Sequence, residues 1–68
     1  MQNNVKRLRE EWGLTQKELG EKVGVSRQAI NAIETGKFDP SLWLAYDLAK
    51  LFKVSIEELF LFIEEDRK

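Results

Sequence analysis

The sequence has no cysteine and no histidine, and only one proline and one methionine among its 68 residues. Without cysteine there is neither a disulfide framework nor a thiolate metal site. Without histidine the commonest general base, the commonest zinc ligand and the usual pH switch are missing. Long apolar runs are absent as well. The longest, Leu42–Tyr46 and Leu59–Ile63, fall far short of the roughly 20 residues that span a bilayer. The opening Met1-Gln2-Asn3-Asn4 has no basic region leading into an apolar stretch and does not read as a signal peptide. These absences predict one soluble, cytoplasmic domain over residues 1–68, stabilised by an apolar core and by a partner subunit. No Ser–His, Cys–His or enclosed carboxylate-pair constellation is available, so no enzyme, cofactor, metal or small-molecule ligand is expected. Glu57, Glu58, Glu64, Glu65 and Asp66 read as helix capping and a solvated acidic tail rather than as metal ligands.

Charge is balanced in sum and uneven in distribution. Eleven Lys and Arg face twelve Asp and Glu, for a net charge of −1. Residues 1–37 hold seven of the basic side chains against five acidic ones, whereas residues 38–68 hold four against seven. A basic front half and an acidic tail can still present one positive face, although ordinary solubilising charge gives the same counts.

The punctuation of the chain marks five helical segments. Asn3 or Asn4 caps a first helix through Trp12, with Val5, Leu8 and Trp12 on its inward stripe and Gly13 at its end. Thr15 and Glu18 form a capping box that opens a second helix running to about Val23. Gly24 makes the turn, and Ser26 caps a third helix closed by Gly36. Lys37-Phe38-Asp39-Pro40 is a loop before a fourth helix capped by Ser41. That helix is expected to turn Leu42, Ala45, Leu48, Ala49 and Phe52 inward. Ser55 and Glu58 repeat the capping box for a short fifth helix over 56–59. Phe60 to Ile63 is rich in β-formers, which suits a short terminal strand.

Residues 15–36 form a unit: short helix, glycine turn, short helix. Neither helix is long enough to persist alone in water. Gly20 lies inside the second helix, where glycine costs about 1 kcal/mol relative to alanine, and a close helix crossing accounts for it. On a helical wheel Ala29, Ile30 and Ile33 form the buried stripe of the third helix. Arg27, Gln28 and Asn31 fall opposite them. These are the side chains that pair with base edges, arginine with guanine and glutamine or asparagine with adenine. The amides exposed by the Ser26 cap suit a phosphate. Arg, Gln and Asn are also ordinary residues of a solvated helix face, so the wheel alone leaves both readings open.

Gln16, Leu19, Gly20, Val23, Gly24, Val25, Ser26, Ile30 and Ile33 resemble, at matching spacings, the Cro/C1-type (XRE) helix-turn-helix family. The likeness extends to Leu8-Arg9, Gly13 to Gln16, Glu34 with Gly36-Lys37, Pro40 to Leu42, Leu48-Ala49 and Val54 to Phe60. It covers roughly residues 4–60, nearly the whole chain. Position 20 is usually alanine in the family. Position 53 is often glycine, so Lys53 makes a positive-φ cap less comfortable there. The resemblance implies an all-α, five-helix lambda-repressor-like domain. It implies base contacts from Ser26, Arg27, Gln28 and Asn31, and phosphate contacts from Gln16, Lys37 and the backbone amides around Gly36 and Phe38. Arg9 and Glu34 resemble the family's internal ion pair. Trp12 reads as core. Trp43, where the family commonly has a polar side chain, is left between a DNA contact, a subunit contact and a bare surface position.

Five consecutive apolar residues, Leu59–Ile63, cannot all face the core of so small a domain, and a second subunit is expected to cover part of them. The alternative is a tail that closes the monomer's own core. The chain resembles a compact, cytolysin-repressor-like branch of the family. In that branch the N-terminus and the segment after the fifth helix form a two-stranded sheet, and the C-terminal region dimerises. Gln2–Asn4 is therefore expected near Leu61–Ile63, with a dimerisation region at about 55–65 that uses Leu59, Leu61, Phe62 and Ile63. The expected function is a homodimeric, sequence-specific regulator, acting as a repressor on a pseudo-palindromic double-stranded DNA operator. The rival is an antitoxin-like or adaptor module that holds a protein partner through the C-terminal apolar surface.

Overall fold

A computed structural model describes residues 1–67. Five α-helices, α1 (Val5–Glu11), α2 (Gln16–Val23), α3 (Arg27–Glu34), α4 (Leu42–Phe52) and α5 (Ile56–Leu59), precede a 3-10 turn over Glu64–Arg67. The core is one cluster to which every α-helix contributes, centred on Val5, Leu19, Ile30, Ile33, Leu48 and Leu59, with Phe60 just beyond α5.

The helix starts are set by local chemistry. Thr15 Oγ1 accepts from the Glu18 amide at 3.0 Å, and Glu18 Oε1 accepts from the Thr15 amide at 2.8 Å. Ser55 and Glu58 repeat the pattern at 3.1 and 2.8 Å. Ser26 and Ser41 cap α3 and α4 through the amides of Ala29 and Leu44. At α1 the oxygen comes from Asn3, whose Oδ1 accepts from the Val5 amide at 3.0 Å. The backbone amides of Thr15 and Ser55 are the first cause holding the Glu18 and Glu58 carboxyls below their usual value near 4.5. A depressed folded value gives stability that is present above the unfolded value and lost as pH falls through the folded one. The urea midpoint is thus expected to drop on acidification below about pH 4.5. A Glu18→Gln, Glu58→Gln variant should show a shallower drop, and an identical one would remove the capping boxes as its cause.

The α2–α3 turn is tight. Gly24 adopts φ 77°, and a Cβ at Gly20 would lie 2.5 Å from the Val25 carbonyl oxygen. What comes close to Gly20 is thus the turn backbone, rather than the body of α3. The α4 cap departs from expectation in the opposite direction. Lys53 takes the left-handed conformation at φ 59° and closes α4 as a glycine would. For a residue with a Cβ that conformation costs of order 1–2 kcal/mol.

Three expectations about burial are corrected. Trp12 is 45% exposed: it stands at the C-cap of α1, at the rim of the bundle, and touches the core edge-on at Phe52, centroids 5.9 Å apart. Leu42 is 77% exposed, and Leu44 takes its place in the inward stripe of α4. Helix α4 is apolar almost all round, so its periodicity does not single out one face. Leu59 is fully buried within the protomer and offers nothing to a second subunit, while Leu61 and Phe62 are exposed and Ile63 is half-buried.

The termini pair as expected, one step earlier. Asn3 and Phe60 form an isolated antiparallel bridge, with Asn4 N–H donating to Leu59 O at 2.8 Å and Leu61 N–H to Gln2 O at 2.9 Å. Phe60 is buried, so the tail helps to close the protomer's core with Leu59 and Phe60.

Candidate nucleic-acid interface

Helix α3 is held by its buried Ile30 and Ile33, and its opposite face carries Arg27, Gln28 and Asn31, all exposed. With Gln16 from the first turn of α2 they line one shallow concavity of about 330 Å³. Four residues named from sequence are thus brought together from two helices. Arg27 and Gln28 make no hydrogen bond among the described residues, so a guanidinium and a carboxamide are both free for an incoming acceptor or donor.

Beneath this face lies a polar brace. Arg9 Nε donates to Glu34 Oε2 at 2.6 Å, Arg9 Nη2 to Glu34 Oε1 at 3.3 Å, and Arg9 Nη1 to Leu14 O at 2.8 Å. The Glu34 side chain is 2% exposed and that of Arg9 11%. The hydrogen bond that Arg9 donates to Glu34, more than the Glu34 charge, keeps the Arg9 guanidinium above its ordinary value against the opposing effect of burial. Gln16 Nε2 donates to Glu34 Oε1 at 3.0 Å and to Asn31 Oδ1 at 3.3 Å. One carboxylate therefore ties α1, α2 and α3 together and leaves the outer oxygen of Gln16 and the amide nitrogen of Asn31 turned to other partners. Asn31 is less free than Arg27 or Gln28, since its oxygen is already engaged.

The exit of α3 carries the other named residues. The amides of Gly36, Lys37 and Phe38 donate to Ile33 O at 3.0 Å and to Ala32 O at 2.9 and 3.2 Å. The expectation that backbone amides around Gly36 and Phe38 reach phosphate is corrected on this point, because the helix C-cap consumes them. What remains outward is the Lys37 ammonium and the exposed ring of Phe38. The Ser26 hydroxyl oxygen accepts from the Ala29 amide at 3.1 Å, which leaves its proton and one lone pair for a ligand. Thr35 turns its hydroxyl back onto Asn31 O and Ala32 O.

One residue of the site was not legible in the sequence. Asn3 Nδ2 donates to Ile33 O at 2.9 Å, so the asparagine that caps α1 also holds the last turn of α3. A cap signal was readable at positions 3 and 4, but a contact across 30 residues leaves no local pattern.

A Helix-turn-helix family model matches residues 5–59. An uncharacterised HTH-type transcriptional regulator of Methanocaldococcus jannaschii is 50% identical over 66 residues, 97% of this chain and 100% of that one. One of Bacillus subtilis is 47% identical over the same shares. Among solved structures, the P22 c2 repressor in complex with a synthetic operator is similar at TM-score 0.76 and 28% identity, over 79% of this chain and 82% of that one. The restriction-modification controller protein C.AhdI of Aeromonas hydrophila is similar at TM-score 0.75 and 30% identity, over 84% and 86%. These are DNA-binding regulators and not enzymes. No helix among the described residues is long and apolar enough to cross a membrane.

Proposed function

Because the chain belongs to the Cro/C1-type helix-turn-helix family of DNA-binding transcriptional regulators, we propose that it is a homodimeric repressor that reads a pseudo-palindromic operator with α3. The observation that carries this reading is the shared concavity of Gln16, Arg27, Gln28 and Asn31, with Arg27 and Gln28 unpaired among the described residues. Arg27 suits guanine O6 and N7, and Gln28 suits adenine N6 and N7. The Asn31 amide nitrogen and the Ser26 hydroxyl add further donors toward the bases. Gln16 and the Lys37 ammonium suit phosphates, which fix register without selecting sequence. Two copies of α3 would enter successive major grooves about 34 Å apart. The complex of the similar P22 c2 repressor with a synthetic operator supports double-stranded DNA as the partner. Selection from random duplex DNA tests the reading. An enriched inverted repeat with half-sites one turn apart is expected, and a selection that enriches nothing at any salt would overturn it.

The proposed dimer surface moves from the buried Leu59 to the start of α4 and the tail. Leu42 and Phe62, 77% and 62% exposed, border an apolar groove of about 270 Å³ whose floor is Ala45, Ile56 and Phe60. Trp43, next to Leu42 in α4, is 74% exposed and edge-on to Tyr46, and Leu61 lines a separate concavity with Gln2, Asn3 and Asn4. Leu42→Glu is expected to turn the dimer into a folded monomer in analytical ultracentrifugation, with operator affinity falling as pairing is lost. An unchanged dimer would place the two-fold axis elsewhere.

A further inference from the structure

A second groove, of about 630 Å³, lies between the end of α1, the last turn of α2 and the C-terminal half of α4. Its apolar surface is Trp12, Val23 and Leu51, and around it stand Lys22, Lys50 and Lys53 with Asp47 as the single acid. Val23 and Gln16 occupy opposite ends of α2, about 10 Å apart along the axis, so this groove is separate from the concavity on α3. It is also separate from Leu42 and Phe62. In a chain of net charge −1, three lysines against one aspartate make a local reversal of sign. The neighbouring Glu11 does not offset it, being paired with Arg7 at 2.9 Å.

Lys53 adds an independent observation. It is the one residue other than glycine with positive φ among those described, at a cap where glycine fits without strain. The favourable effect of a cation on the end of α4 is already supplied by Lys50. A strained residue kept where a simpler one would serve points to work done by its side chain. We infer that the Trp12 groove docks a partner protein through an acidic segment carrying one apolar residue. The apolar side chain sits on Trp12, Val23 and Leu51, and flanking carboxylates meet Lys22, Lys50 and Lys53. A nucleic-acid strand would use the lysines but not the apolar floor. Since the groove shares no lining residue with the concavity on α3, docking leaves Arg27, Gln28 and Asn31 uncovered.

Trp12 reports its own occupancy once the other tryptophan is removed by Trp43→Phe. The probe is a synthetic glutamate-rich peptide carrying one leucine, with a lysine-for-glutamate counterpart and an oligothymidylate as controls. The glutamate peptide is expected to shift Trp12 emission saturably, more weakly as salt rises, while the lysine counterpart has no effect. Lys53→Gly should weaken that binding about fivefold, the loss of one charge pair, while its melting temperature stays level or rises, which separates lost docking from lost fold. Lys22→Glu should weaken it further. A flat Trp12 signal, equal affinity in Lys53→Gly, or a response to oligothymidylate alone would each overturn the inference, the last by making the groove a nucleic-acid surface.

Discussion

Arg9→Ala is expected to lower the unfolding free energy by about 3–5 kcal/mol, because it strands a buried carboxylate without its counter-charge. Glu34 is 2% exposed and accepts from Arg9 twice and from Gln16 once. Removing the guanidinium leaves only a neutral carboxamide to compensate a full negative charge. A domain of this size holds about 3–10 kcal/mol in total, so the variant should be largely unfolded or close to it at room temperature. Urea denaturation followed by circular dichroism gives the number. The companion Arg9→Met, Glu34→Leu should recover most of the loss, since a well-packed apolar pair often matches a buried ion pair in stability. It should still bind DNA less well than the parent, because Gln16 loses its bond to Glu34 and is held to α3 by its bond to Asn31 alone. If Arg9→Ala unfolds at the parent's midpoint, the pair is not what joins α1 to α3.

The parts of the fold legible in the sequence are those decided within a few residues. Thr15 with Glu18, Ser26, Ser41 and Ser55 with Glu58 each satisfy amides of their own first turn, so the residue types alone announce the helix starts. Gly24 at φ 77° is equally local. The face of α3 was legible because Ile30 and Ile33 leave one side for Arg27, Gln28 and Asn31. The errors sit where tertiary context chooses among local equals. Leu42 and Leu44 both suit an inward stripe, and the packing of the whole bundle, which α4 alone does not announce, buries Leu44. Trp12 has the right spacing for the core, but stands one residue past the end of α1, where the bundle no longer covers it. Lys53 accepts a conformation that its own sequence disfavours. The engaged amides of Gly36, Lys37 and Phe38 follow from how α3 ends, which the resemblance to a family could not specify.

Arg27→Ala is expected to weaken operator binding by about 1–3 kcal/mol, roughly 5- to 150-fold, and to relax preference at one base pair per half-site. Arg27 is the first residue of α3, exposed and unpartnered among the described residues. Its guanidinium is therefore neither already committed to an internal bond nor in need of one, in contrast to Arg9. Competition binding on the selected operator and on a library of single-base variants separates two kinds of loss. A base contact loses affinity on the guanine-bearing site and little elsewhere, which flattens the preference at that position. A phosphate contact loses it equally on every sequence and lowers the slope of log affinity against log salt by about one. Lys37→Ala supplies the comparison, since its ammonium follows the end of α3 and is expected to behave in the second way. Should Arg27→Ala behave like Lys37→Ala, sequence reading would rest on Gln28 and Asn31. Asn31 is already bonded to Gln16, so Gln28 would then be the position to vary next.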